Sequence, residues 1–327
     1  MRRRAPHRDE PLATVSQHPF AQQPAQPVVI VGSLALDHVR TPFGEREEAL
    51  GGAAVYSATA ASFFTPVRLV GVVGEDFPTD HLQSLAARGV DLEGVETKHG
   101  KTFRWSGYYE YDLHQAHTVS TELNVFADFR PQLPERYRDS PYVFLANIGP
   151  DLQLSVLDQM TRLKLAVFDT MNYWITSQRE QVLEVIRRCQ VILLNDAEAR
   201  QLGETHSLIA AARQVLALGP RAVVIKKGEH GAVMFTEGSH FSAPSYPLEE
   251  VKDPTGAGDT FAGGLIGYLA GTDDLSETSL RKAVVFGTVM ASFAVEDFSL
   301  DRLQRLTHEE ILARYRALKE IAHFEEP

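Results

Sequence analysis

From residue 28 onward the hydrophobic and polar positions alternate between two rhythms. Short, continuous apolar runs occur at Val28–Val31, Val67–Val73, Tyr142–Leu145, Leu165–Phe168, Val191–Leu194 and Ala222–Ile225, the pattern of strands buried on both faces. Between them lie Ala-rich or amphipathic stretches, among them 52–63 and 81–88, that read as helices. Each run leads into a helical stretch except the last, which turns into Gly231-Ala232-Val233-Met234-Phe235. Strand–helix alternation of this kind predicts an α/β fold with a central, mostly parallel sheet flanked by helices on both faces. Ligands in such folds sit at the carboxyl ends of the strands, near a switch in strand order. At the far end Ile311, Leu312, Tyr315, Leu318 and Ile321 recur at helical spacing, and Thr307 with Glu310 supplies a capping box.

Two segments, about 37–50 and 97–127, break the rhythm and read as half-exposed strands. From Thr102 to Tyr111 the alternation has period two, with Phe103, Trp105, Tyr109 and Tyr111 on one side and Thr102, Arg104, Ser106, Tyr108 and Glu110 on the other. These strands are expected to form a small lid sheet. Its aromatic face either packs on its own domain or pairs with a second subunit in a homodimer.

The first 27 residues differ in composition. They hold five prolines and an Arg2-Arg3-Arg4 run with almost no periodic apolar pattern, which predicts a disordered tail followed by one domain over 28–324. No apolar core follows the basic start, as a secretory signal would require. With 44% hydrophobic and 23% charged residues the chain is ordinary globular material. A net charge of -11 offers no basic footprint for nucleic acid. The apolar stretch 283–295 is interrupted by Gly287, Thr288 and Ser292 and is too short to span a membrane. The one cysteine, Cys189, excludes an internal disulfide. A cytoplasmic protein is expected. The twelve histidines are scattered, and His114 with His117, the nearest pair, lack a third ligand.

The sharpest chemical signal is Asp253-Pro254-Thr255-Gly256-Ala257-Gly258-Asp259-Thr260-Phe261-Ala262-Gly263-Gly264. Gly256 and Gly258 let the backbone approach a ligand. The helix that follows offers free amides and the positive end of its dipole to an anion. Asp259 falls in its first turn, where the dipole favours the anion and makes a proton acceptor. Loop, helix start and carboxylate together suggest phosphoryl transfer: Gly256, Ala257 and Gly258 hold developing charge while Asp259 takes a proton from the attacking hydroxyl. No Walker A loop is present, and Phe261 stands where a dinucleotide fingerprint needs its third glycine, which argues against an oxidoreductase.

The segment 253–261 resembles the C-terminal signature of the ribokinase-like (PfkB) sugar and nucleoside kinases. Gly32-Ser33-Leu34-Ala35-Leu36-Asp37, Gly51-Gly52-Ala53-Ala54 and Asn195-Asp196-Ala197-Glu198 are similar to three further motifs of that family, in its order and spacing. The resemblance implies a ribokinase-like fold over 28–324 and an ATP-dependent kinase acting on the hydroxymethyl group of a sugar. A nucleoside kinase and a non-catalytic nucleotide sensor are the alternatives. It implies that Asp259 is the base and that Asn195 and Glu198 act on ATP phosphates, with Glu198 reaching Mg2+ through water. Lys226, Gly228 and Gly231 belong to the loop that passes along the nucleotide. Asp37, Gly51 and Gly52 would hold acceptor hydroxyls, with Asn172 (beside Asp169) and Arg104 as further substrate contacts. Tyr56 stands where the family has asparagine, and would stack on a ring or fill space. Asp253 would lie beside a monovalent cation such as K+.

Overall fold

The computed structural model describes residues 25–326. Thirteen strands form among them: β1 (Val28–Val31), β2 (Ala35–Thr41), β3 (Gly44–Gly51), β4 (Val67–Gly74), β5 (Val90–Lys98), β6 (Phe103–Tyr109), β7 (Ala116–Glu122), β8 (Tyr142–Leu145), β9 (Leu165–Phe168), β10 (Val191–Asn195), β11 (Ala222–Lys226), β12 (Ala232–Phe235) and β13 (His240–Ala243). Nine of them make one sheet in the order β13-β12-β11-β10-β9-β8-β1-β4-β5. It is parallel from β11 to β5, and β12 and β13 close one edge antiparallel. From β1 the chain runs outward through β4 and β5, then returns to β8 and builds the other half, so the strand order reverses at the β1/β8 pair.

The apolar runs are continuous because both faces of the sheet are covered. Val28 and Ile30 join one core with helices Ala53–Ala61, Ala257–Thr272, Glu277–Ala294 and His308–Ile321. Val29 and Val31 join the other, with helices Pro150–Gln159, Arg179–Arg188, Asp196–Leu202 and Leu208–Leu216. Helix Ala53–Ala61 is buried at all nine positions. It lies so close to helix Ala257–Thr272 that a Cβ on Gly263 would fall 2.3 Å from the Ser57 carbonyl. The closing helix starts at the expected Thr307–Glu310 capping box.

The expected six strands and the parallel sheet are all found. The strand β5 was not anticipated: it is an edge strand with Asp91, Glu93 and Glu96 among its apolar residues, so no continuous apolar run announces it. Residues 97 and 98, assigned to the lid by pattern, belong to its end. The expected tail over 1–27 lies outside the described residues except for its last three. There Gln26 donates to the Ala270 carbonyl at 3.0 Å, and its own carbonyl accepts from Thr65.

The lid is a four-stranded sheet in the order β3-β2-β6-β7. It is antiparallel except where β2 runs parallel to β6, and that register sets Asp37 beside Trp105 and Leu36 beside Arg104. Phe103, Trp105 and Tyr109 share the Asp37 face. Phe103 packs on Phe126 at 5.6 Å between ring centroids, and Tyr109 reaches Thr255 Oγ1 at 3.3 Å. The aromatic face, which carried the expectation of a dimer, therefore turns inward over the main sheet. Arg104, Ser106, Ser120, Glu122 and Glu48 line a cavity of about 240 Å³ together with Asp37 and Trp105. Tyr111 lies beyond the strand end and is exposed.

Candidate active site

The carboxyl ends of the parallel strands converge with the loop before helix Ala257–Thr272. Asn195 ends β10, Lys226 ends β11, and Asp169 follows β9. Gly256 occupies the left-handed region at φ 74° immediately before the helix. A Cβ there would lie 2.5 Å from three ring carbons of Tyr56, so both the backbone angle and the neighbour demand glycine. Asp259 sits in the first turn, as expected.

Burial is the largest influence and the Asp169 carboxylate the next; together they push Asp259 up to about 7 against the opposing pull of Lys226. A helix start lowers a carboxylate's pKa by only a modest amount at an open surface. Here desolvation outweighs it. The result is a base poised near neutrality, as proton abstraction from a hydroxyl favours.

Lys226 lies at the centre of the acidic groups. Its Nζ pairs with Asp169 Oδ2 at 2.8 Å and stands 3.2 Å from the point where a Cβ on Gly258 would be. Burial alone would lower the lysine's pKa, but Asp169 and then Glu198 carry it above its ordinary value, so the ammonium stays charged.

Asn195 and Glu198 form a capping box for helix Asp196–Leu202. The Asn195 amide and Nδ2 each donate to a Glu198 oxygen at 2.7 Å, and Asn195 Oδ1 accepts from the Glu198 amide. The pair therefore fixes its own helix, a role the spacing also allowed. Burial, then the Asp169 charge, pushes Glu198 up to about 7. Each of its oxygens retains a lone pair, and Asp169, Glu198 and Asp259 face the single ammonium of Lys226. That surplus of negative charge suits a hydrated divalent cation. Beside them β11 turns into β12 through Gly228 and Gly231, closed by the Lys227 amide on the Gly231 carbonyl at 2.8 Å.

Asp37 approaches from the lid. A Cβ on Gly51 would fall 1.9 Å from its Oδ2, so the paired glycines make room for the carboxylate. Burial, followed by the charges of Asp253 and Asp259, raises Asp37 to about 7, with the Gly52 amide pulling the other way. Asp253 is buried, and its oxygens accept from the amides of Thr255 at 2.9 Å and Ser299 at 3.5 Å, a staple across the loop.

Asp37, Gly51, Gly52, Tyr56, Lys226, Glu198 and the 256–259 segment thus gather around one space. Arg104 lines the cavity of about 240 Å³ together with Asp37 and Trp105, its guanidinium bound to Glu48 at 3.0 Å and Asp76 at 2.7 Å. Asn172 is exposed and donates to Gln201, whereas Asp169, three residues earlier, is the buried group. Tyr109 and Thr255 went unremarked as site residues; only the strand register, which the pattern leaves open, brings them together. Among the described residues His38, Glu45 and Glu47 are the one group with metal-like spacing, on the lid surface away from these residues.

The profile described as pfkB family carbohydrate kinase matches residues 26–303. A cytidine kinase of Thermococcus kodakarensis is 32% identical over 251 residues, covering 75% of this chain and 89% of the relative. A fructoselysine 6-kinase of Escherichia coli is 28% identical over 258 residues, again covering 75% and 89%. Among solved structures, a Burkholderia thailandensis nucleoside kinase in complex with ADP and inosine superposes with a TM-score of 0.73 at 20% identity, covering 89% of this chain and 95% of that one. A Thermotoga maritima ribokinase gives 0.70 at 18%, covering 89% and 99%. The fold is ribokinase-like. No helix among the described residues is long and apolar enough to cross a membrane. The chain belongs to the PfkB family of carbohydrate kinases and is a phosphotransferase with an alcohol group as acceptor.

Proposed function

We propose that the protein transfers the γ-phosphate of ATP to the hydroxymethyl group of a sugar, free or within a nucleoside. The observation that carries this reading is Asp259 in the first turn behind Gly256-Ala257-Gly258, with the Lys226 ammonium against Gly258. Asp259 accepts the proton of the attacking hydroxyl. The amides of residues 256–258 and the Lys226 ammonium hold the negative charge that develops on the transferred group. Gly228 and Gly231 bring backbone close to the nucleotide. Asp37 accepts hydrogen bonds from the acceptor's other hydroxyls beside Gly51 and Gly52. Glu198, oriented by Asn195, is the residue that would hold hydrated magnesium, an ion that supplies positive charge against the phosphates. Asp253 acts as the loop's staple through the amides of Thr255 and Ser299.

Two acceptor classes fit. The nucleoside reading is favoured by the aromatic face of the lid, where Trp105 neighbours Asp37 and offers a surface for a base, and by the likeness to a cytidine kinase. The test is acceptor-dependent ADP release across pentoses, hexoses, sugar acids and nucleosides, beside Asp259→Asn. Loss of the base lowers kcat by about 10²–10⁴-fold while ATP still binds. Near-wild-type turnover in that variant sinks the mechanism.

A further inference from the structure

The ion pair between Asp169 and Lys226 bridges a strand. β10 lies between β9 and β11, so the lysine ending β11 reaches across the β10 terminus to a carboxylate just past β9, 2.8 Å from Nζ. Asp169 is 3% exposed and fixed by three further hydrogen bonds. Its amide donates to the Leu145 carbonyl, its carbonyl accepts from Gln153 Nε2, and its Oδ1 accepts from the Thr170 amide, each at 3.0 Å. Gln153 is itself buried and also donates to the Ala146 carbonyl at 2.9 Å, which ties together the chain leaving β8 and β9. Lys226 has competing attractions. Asn195 lies opposite it in the β10–β11 register, and Glu198 is bonded to Asn195. Asp259 directly follows Gly258, against which Nζ rests. An ammonium on a flexible stem, left to itself, would settle on one of these carboxylates. On Asp259 it would neutralise the base, and on Glu198 it would cover the group suited to the metal.

We propose that Asp169 is a positioning residue: by holding one corner of the Lys226 ammonium it keeps Nζ beside Gly258 and off the base, with two N–H bonds left for the oxygens of the transferred phosphoryl group. A lysine ammonium carries three donors, and Asp169 takes one of them. Charge that develops only in the transition state is stabilised by a cation already in place, and Asp169, rigid in its own backbone, supplies that placement. The groups that face Asp259 are Asp169 after β9, Lys226 on β11, Glu198 on helix Asp196–Leu202, Asp37 and Tyr109 on the lid, and Tyr56 on helix Ala53–Ala61. Asp169 raises Asp259 and Lys226 lowers it. Removing the Asp169 charge and freeing the ammonium therefore both favour the ionised base. This inference rests on the kinase reading and adds a residue that acts through its cation.

The experiment measures ADP release by wild type, Asp169→Asn, Lys226→Met and the double variant, with ATP, magnesium and the best acceptor among pentoses, hexoses, sugar acids and nucleosides. At about pH 8.5, where Asp259 is ionised, Lys226→Met is expected to lose about 10²–10³-fold in kcat. Asp169→Asn is expected to lose about 10–100-fold, with the KM for ATP within about threefold of wild type. Because Asp169 acts through the lysine, the double variant should match Lys226→Met within about twofold. From about pH 8 to about pH 5, Asp169→Asn should lose about tenfold less of its kcat/KM than wild type loses, a change that a merely loosened site does not produce. Equal losses over that range overturn the proposal, as does an Asp169→Asn kcat within about threefold of wild type. A double variant impaired about tenfold beyond Lys226→Met also overturns it. That last comparison holds even where Asp169→Asn alone fails to fold, since the double variant leaves no buried ammonium without its partner. If Lys226→Met and Asp259→Asn both match wild type, the kinase reading falls and the role of Asp169 with it; if both lose turnover while Asp169→Asn keeps it, this proposal alone falls.

Discussion

Substituting Gly256 by alanine tests the contact on which the anion-binding loop is built. The position has φ 74°, and an added Cβ would sit 2.5 Å from three carbons of the Tyr56 ring. The left-handed conformation costs a non-glycine residue about 1–2 kcal/mol. Forcing a methyl into packed surroundings costs about 1–3 kcal/mol more. The Tyr56 ring cannot swing aside cheaply, because its helix is buried at every position. Gly256→Ala is therefore expected to lose about 2–5 kcal/mol of stability. A loop amide displaced by even 1 Å should also lower kcat by about 100-fold. Gly228→Ala provides the control: its φ is 54°, but nothing lies within 4 Å of the added methyl, so only the backbone cost of about 1–2 kcal/mol applies. Denaturant unfolding and ADP release measured on both variants separate the two contributions. In a Tyr56→Ala background the extra cost at position 256 should disappear, giving a coupling of at least about 1 kcal/mol. Equal destabilisation by the two glycine substitutions, or full kcat in Gly256→Ala, refutes the argument.

Two further expectations follow from the charges. Asp259 and Asp37 both titrate near 7, so kcat/KM should rise by about tenfold per pH unit below that point if Asp259 alone must ionise, by about a hundredfold if both must, and level above it; a profile flat from pH 5 to 8 contradicts an Asp259 base. The same raised values have the opposite effect on stability. These carboxyls bind protons more tightly folded than unfolded, where they titrate near about 4, so their contribution is full below about pH 4 and is lost as pH climbs through about 7. The ligand-free Tm should fall over that window, and less steeply in Asp259→Asn; an equal slope in both proteins refutes the assignment. On the lid, Arg104→Ala should cost less than about 1 kcal/mol, since its ion pairs are partly exposed. It should leave the acceptor KM within about twofold of wild type, and a larger rise would show that Arg104 reaches the substrate after all.

Most of the main sheet could be read from the chain because strands covered on both faces must be apolar throughout. The anion loop was legible because few other contexts place two glycines and a carboxylate at a helix start. The pattern of β6 sorted its residues correctly into two faces, but parity does not say which face turns inward. The raised pKa of Asp259 was not legible for a different reason. Its dominant influences, burial and the Asp169 carboxylate, come from a residue ninety positions earlier and from the packing of the whole site. In Asn195–Glu198 the spacing carried two meanings at once, a helix cap and a phosphate-site pair, and the structure supplies the first directly.

The packing of helix Ala53–Ala61 against helix Ala257–Thr272 also has a consequence during synthesis. The early helix is apolar at nearly every position, yet the partner that covers it lies about 200 residues later in the chain. At 5–20 residues per second, a ribosome needs about 10–40 s to deliver that partner. Over that interval the nascent chain carries an unshielded hydrophobic helix next to the central strand. The price of assembling a site from both ends of the chain is thus a long exposed window, during which cellular chaperones have the most to do.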